Sequence, residues 1–119
     1  MFRIATYETY KDGQVIFEEG SYGDWIYVVQ AGEVEISKKM AGERLVIEVL
    51  KAGDIFGEMA SIDKKPRSAT VSAKGETVVG IVDREYFNSE YKKLSADFQK
   101  ILRTVSLRIR RLNDNAMKS

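Results

Sequence analysis

Asp54-Ile55-Phe56-Gly57-Glu58-Met59-Ala60-Ser61-Ile62-Asp63-Lys64-Lys65-Pro66-Arg67-Ser68-Ala69-Thr70-Val71 holds the only proline of the chain. Gly53, just before this stretch, and Gly57 within it bracket a tight passage where backbone can come close to a bound molecule. Glu58-Met59-Ala60-Ser61 suits a single helical turn, and the unpaired N–H groups that open such a turn favour an anion. Pro66 fixes the chain ahead of Arg67, while small Ser68 and Ala69 leave their own N–H groups accessible. An anion set here meets a guanidinium on one side and backbone donors on the other. Arginine's planar fork of donors matches a phosphate. Ionised Glu58 only accepts hydrogen bonds, so its counterpart on the same ligand is a hydroxyl. The plain alternative is a surface ion pair between Glu58 and Arg67 beside an ordinary turn. The proline and the small residues around the two weigh against it.

Working outward, short apolar segments from Tyr7 to Asp83 are interrupted by turn signals. These are Lys11-Asp12-Gly13, Gly20-Ser21-Tyr22-Gly23-Asp24, Ala31-Gly32-Glu33, Ala41-Gly42-Glu43, Ala52-Gly53-Asp54 and Lys74-Gly75-Glu76. Turns about every ten residues predict short antiparallel strands in a sandwich or barrel. Val34 and Ile36, and then Leu45, Ile47 and Val49, alternate with charged neighbours as in half-buried strands. The runs Trp25-Ile26-Tyr27-Val28-Val29 and Thr77-Val78-Val79-Gly80-Ile81-Val82 suit strands covered on both faces. Beyond Asp83 glycine disappears and helix formers take over. Asp83 is a candidate N-cap for a short helix, and Ser95 for a longer one over 95–112. In that helix Phe98, Leu102, Val105, Ile109 and Leu112 fall on one stripe, which predicts a face laid against the β-structure. The sharper reading is a seam between two copies of the chain, a homodimer.

Composition narrows the function. The 119 residues have the length of one domain, and 19 Lys+Arg against 18 Asp+Glu give a formal charge of +1. No field from the whole molecule draws it to nucleic acid or an anionic membrane. Arg103, Arg108, Arg110 and Arg111 lie on different helix faces with no aromatic residues between them, which reads as a solvated surface. Cysteine and histidine are absent, so disulfides, thiolate zinc sites and histidine catalysis are excluded, and a reducing cytoplasm fits. No apolar run approaches the roughly 20 residues of a membrane-spanning helix, and Met1 to Glu8 do not form a signal peptide.

A cyclic nucleotide carries both features asked for by the first stretch: one ring-phosphate charge and one free ribose 2′-hydroxyl. Phe56-Gly57-Glu58-Met59-Ala60 followed by Pro66-Arg67-Ser68-Ala69-Thr70-Val71 resembles the phosphate-binding cassette of the cyclic nucleotide-binding domain family. Gly13 to Gly20 and Asp24 to Val34 are similar to that family's early strands. The resemblance implies an antiparallel β-roll or jelly roll of about eight short strands with a C-terminal helical segment. The resemblance covers roughly residues 7 to 83, and 1–119 reads as one domain, with the roll at about 7–83 and a helical tail that fits the family's at about 84–114. It implies that Glu58 holds the ribose hydroxyl and Arg67 the phosphate oxygens. Backbone N–H groups of Gly57, Met59, Ala60, Ser68 and Ala69 supply further contacts, and Ile47 joins an apolar wall. Arg108 or Arg103 of the last helix covers the base. Ser61, where many relatives carry leucine, implies looser packing under the cassette.

Cyclic AMP is expected ahead of cyclic GMP, because Pro66 to Ala73 is similar to the run in bacterial cyclic AMP-gated potassium channels. The implied role is a regulatory sensor that repositions its last helix and uses no other cofactor. It is not an enzyme: a cupin-type metal site lacks its histidines. Output then requires an effector protein or an output domain outside this sequence. The alternative is a nucleotide-free interaction module on the same β-roll.

Overall fold

The computed structural model describes residues 2–118, with side chains to Leu112. In chain order the elements are β1 (Ile4–Tyr10), β2 (Val15–Phe17), β3 (Tyr27–Met40), β4 (Glu43–Lys51), β5 (Ile55–Phe56), α1 (Glu58–Asp63), β6 (Thr70–Val82), α2 (Arg84–Lys93) and α3 (Ala96–Lys118). All strand pairings are antiparallel, in the order β1-β6-β3-β4, with β2 added to β6 and β5 to β3. The mainly β fold with a C-terminal helical segment is the one expected.

Its segmentation differs from expectation at two glycines. Ala31-Gly32-Glu33 and Lys74-Gly75-Glu76 are not chain reversals: they lie inside β3 and β6. There the β3–β6 register shifts, and Gly32 and Gly75 take φ of 81° and 74°. A Cβ on Gly32 would sit 2.4 Å from the Glu76 carbonyl oxygen, so the two strands cross there only because no side chain intervenes. Six strands, two of them bent once, therefore replace about eight short ones among the described residues.

Apolar residues from both halves of the long strands meet inside. Tyr27, Val29, Val34, Leu50, Phe56, Val71 and Val79 form the buried cluster, with Phe17 packed against it. Tyr27 and Phe56 stack with centroids 4.9 Å apart. Of the expected inward set in β4, Leu45 and Ile47 are exposed and Val49 is half-buried, while Leu50 is buried. A bulge also interrupts the alternation: Ile36 pairs with Glu48 but Ser37 pairs with Val46, so Ile47 is the extra residue and the strand changes phase.

Both helix caps form as read. The Tyr86 amide donates to Asp83 Oδ1 at 2.9 Å, and the Phe98 amide to Ser95 Oγ at 3.2 Å. α3 runs past the expected limits of 95–112 and 84–114, to Lys118. It also faces the other way from expectation. Phe98, Ile101, Leu102, Val105, Ile109 and Leu112 are exposed, from 37% at Leu102 to 68% at Leu112. The side turned to the protein carries Ser106, which is buried, and Arg110, which reaches Asp63 of α1. Polar contacts, not the apolar stripe, seat this helix.

Candidate ligand-binding site

Arg67 enters a turn pinned at both ends: its amide donates to Ser21 O, and its carbonyl accepts from Gly20 N, each at 2.8 Å. The side chain then runs inward until the residue is only 4% exposed. Nη1 donates to Gly57 O at 2.9 Å and Nη2 to Trp25 O at 3.1 Å. The guanidinium lies over the Phe17 ring, 4.2 Å from its centroid. Among the described residues no carboxylate forms an ion pair with it. Burial pulls the Arg67 pKa below its ordinary value, against the opposing influence of Tyr27, Asp24 and Glu58. The surface Glu58–Arg67 ion pair is thus ruled out; what stands there is a buried cation held by neutral carbonyls.

Gly57 makes this possible. At φ 82° it ends β5 and turns the chain into α1, whose first residue is Glu58. A Cβ on Gly57 would stand 2.7 Å from Arg67 Nη1 and 2.9 Å from Trp25 O. Glu58 is half-buried, and desolvation raises its pKa, with the Glu48 carboxylate adding to the rise. Arg67 and Glu58's own backbone oppose the shift. Ser61, expected to loosen the turn, instead donates its hydroxyl to the Asp24 carbonyl and is buried.

These groups surround a cavity of about 370 Å³, within the size range of small-molecule sites. Gly57, Glu58, Met59, Ala60, Arg67, Ser68 and Ala69 all line it, as does Ile47. Phe17, Ile36, Leu50, Ile55 and Val71 supply an apolar wall suited to a flat ring. Arg103 and Arg108 are not on the lining. Arg103 reaches the Tyr91 hydroxyl at 3.5 Å, and the cavity is met on α3 by Ile109 and Arg110. Sequence reasoning missed Glu48, Ile109 and Arg110. Ile109 carried a signal, its place in the stripe, but that signal was read as core.

A buried guanidinium at the floor, a carboxylate beside it and an apolar wall define a β-roll domain for a small organic anion that also carries a hydroxyl. The chain belongs to the cyclic nucleotide-binding domain family, whose model matches residues 7–93. It is 40% identical, over 69% of its length, to a cAMP-dependent protein kinase regulatory subunit of Yarrowia lipolytica, of which it covers 21%. Identity to a cGMP-dependent protein kinase of Toxoplasma gondii is 41%, over 66% of this chain and 7% of that one. Among solved structures, the cAMP bound form of the EAL enzyme Bd1971 superposes with TM-score 0.87 at 32% identity. The match covers 93% of this chain and 30% of that one. The cGMP bound form of the same enzyme gives TM-score 0.82 at 31% identity, over 88% and 28%. The chain therefore spans less than a third of each of these proteins. Among the described residues no helix is long and apolar enough to cross a membrane.

Proposed function

We propose that this chain is a cyclic nucleotide sensor, a regulatory module without catalysis of its own, that binds cyclic AMP in preference to cyclic GMP. The observation that carries the reading is Arg67: a 4% exposed cation with no anionic partner among the described residues, lining a cavity of nucleotide size. Burying an unpaired charge is expensive, so a site built this way gains most when an anion arrives. The ring phosphate takes Arg67 together with backbone N–H groups of Gly57, Met59, Ala60, Ser68 and Ala69. Glu58 accepts the ribose 2′-hydroxyl. The base lies along Ile47, Ile36 and Leu50, with Ile109 rather than Arg103 or Arg108 over it. The preference for cyclic AMP rests on the cassette sequence and on the relative named cAMP-dependent. Because a relative named cGMP-dependent and a cGMP bound form are also similar, the affinity ratio is the quantity to measure.

Output follows from α3. Ligand binding shifts the population of α3 arrangements in proportion to its differential affinity for them. The stripe from Phe98 to Leu112, spaced four and three residues apart, receives a second copy of the chain as a two-helix seam. An effector, or a segment beyond this sequence, reads the change. A cytoplasmic setting suits both a soluble nucleotide signal and a chain with no cysteine. Calorimetric titration with cyclic AMP and then cyclic GMP tests the reading. Saturable binding, tighter for cyclic AMP and with the nucleotide recovered intact, supports it. A folded protein that binds neither overturns it in favour of a nucleotide-free interaction module.

A further inference from the structure

The link between α1 and α3 is a single polar cluster. Asp63 closes α1, and its side chain is 2% exposed. Its Oδ1 accepts from Arg110 Nη2 at 3.0 Å, while its Oδ2 accepts from Arg110 Nε and, at 2.8 Å, from the Ser106 hydroxyl. Arg110 Nη1 donates to Pro66 O at 2.7 Å, one residue before Arg67. The Arg110 side chain is itself 13% exposed. All three of its guanidinium nitrogens are thus committed within the protein, so although Arg110 lines the cavity its role is to position other groups. The pair holds the Asp63 carboxyl below the ordinary carboxylate range despite burial. Among the described residues, the other side-chain hydrogen bonds that tie α3 to the rest of the protein lie near its start. Gln99 Nε2 donates to Tyr91 O and Leu94 O at 3.2 and 3.1 Å, and Arg103 meets the Tyr91 hydroxyl. The stripe stays largely exposed, and Ile109, at its edge, sits beside Arg110 on the cavity.

We infer that Asp63, Ser106 and Arg110 form an ion-pair clamp that holds the second half of α3 against the cassette and keeps Ile109 over the ligand cavity. The clamp grips both sides of the segment between α1 and Arg67: Asp63 before it and the Pro66 carbonyl at its end. Any displacement of that segment when the phosphate site fills or empties therefore moves α3, and release of α3 loosens the cover of the cavity. A bidentate, nearly water-free Arg–carboxylate pair has a sharp geometric optimum, so it serves as a latch with few intermediate positions. The consequence for ligand retention rests on the cyclic nucleotide reading; the consequence for α3 does not.

The experiment uses the whole chain and the variants Arg110→Gln, Asp63→Asn, their combination, and Arg110→Lys. Amide exchange of residues 104–112 is followed without ligand, and dissociation of a fluorescent cyclic AMP analogue is followed by stopped flow. Each single variant is expected to speed both exchange in that segment and dissociation by about tenfold. Association should stay within about twofold. The combined variant should lose clearly less than the sum of the two single ones, because both remove the Asp63–Arg110 pair. Arg110→Lys, which keeps the charge and loses the fork, should fall between parent and Arg110→Gln and decides the matter should Arg110→Gln fail to fold. A merely structural role would speed exchange in β6 as well; the clamp leaves β6 protected. Unchanged α3 exchange in folded variants, or additive losses in the combined variant, overturns the inference. A parent that binds no cyclic nucleotide defeats the functional reading alone, and the exchange measurement still decides the clamp.

Discussion

Arg67 concentrates the chemistry of the site in one side chain, and its substitution separates binding from folding. Arg67→Ala removes the charge-assisted phosphate contact and should weaken cyclic AMP binding by about 2–5 kcal/mol, measured by calorimetry. It leaves the Gly57 and Trp25 carbonyls without their donor, so a smaller loss of thermal stability accompanies it. Glu58 gives a pH signature. Its pKa is raised by burial and by Glu48, and the ionised carboxylate is the stronger acceptor for the proposed ribose hydroxyl. Affinity should therefore fall as pH drops through this raised pKa, by at most about tenfold per pH unit. Glu48→Gln removes one cause of the rise and should move the fall to lower pH. Titrations of parent and variant across the acid range check the sign; an unmoved or upward-moved midpoint excludes the Glu48 influence. That Gly57, Glu58, Met59, Ala60, Arg67, Ser68 and Ala69 gather around one cavity was legible in the sequence, because small residues, proline and Arg67 lie close along the chain. Glu48 was not, since the alternation of Leu45, Ile47 and Val49 pointed it away from the core, whereas it pairs with Ile36 and shares the inner face of Leu50.

At the scale of elements, the glycine rhythm located the strands but not the difference between a turn and a bulge. Both need a residue at positive φ, so Gly32 and Gly75 look alike to sequence reasoning. They differ in what surrounds them. A Cβ at Gly32 meets backbone at 2.4 Å, whereas one at Gly75 meets nothing within 4 Å. Gly75→Ala should cost about 1–2 kcal/mol from backbone conformation alone. Gly32→Ala should cost distinctly more, because the β3–β6 crossing must also open. Urea unfolding of the two variants tests the ranking, and equal losses would mean that the crossing yields easily. The helix caps at Asp83 and Ser95 were legible because a cap is a contact over three residues. The rotation of α3 was not, because Asp63, more than forty residues away in sequence, selects Ser106 and Arg110 as the inner face. That rotation is also why Ile109, not its neighbour Arg108, lies on the cavity.

For the whole molecule, the exposed stripe of α3 is the feature that a lone chain leaves unexplained. Phe98, Leu102, Val105, Ile109 and Leu112 keep a four-three repeat while 37–68% exposed, so each forgoes part of the roughly 1.5–3 kcal/mol that full burial of such a side chain supplies. Covering the stripe with its symmetry mate recovers part of that, and the clamp residues Ser106 and Arg110, on the neighbouring side of the helix, stay turned to α1 and the cassette. The chain should therefore sediment as a dimer at micromolar concentration. Leu102→Glu, a position away from the cavity lining, should shift it to a monomer by setting like charges face to face in the seam. Cyclic AMP affinity of that monomer should persist, because the phosphate and ribose groups all come from one chain. Its dissociation rate is the more telling number. Ile109 belongs at once to the stripe and to the cavity, so a partner helix packed against it also restrains the cover of the ligand. Faster release from the monomer than from the dimer would tie assembly to sensing; equal release would make the seam a matter of assembly alone.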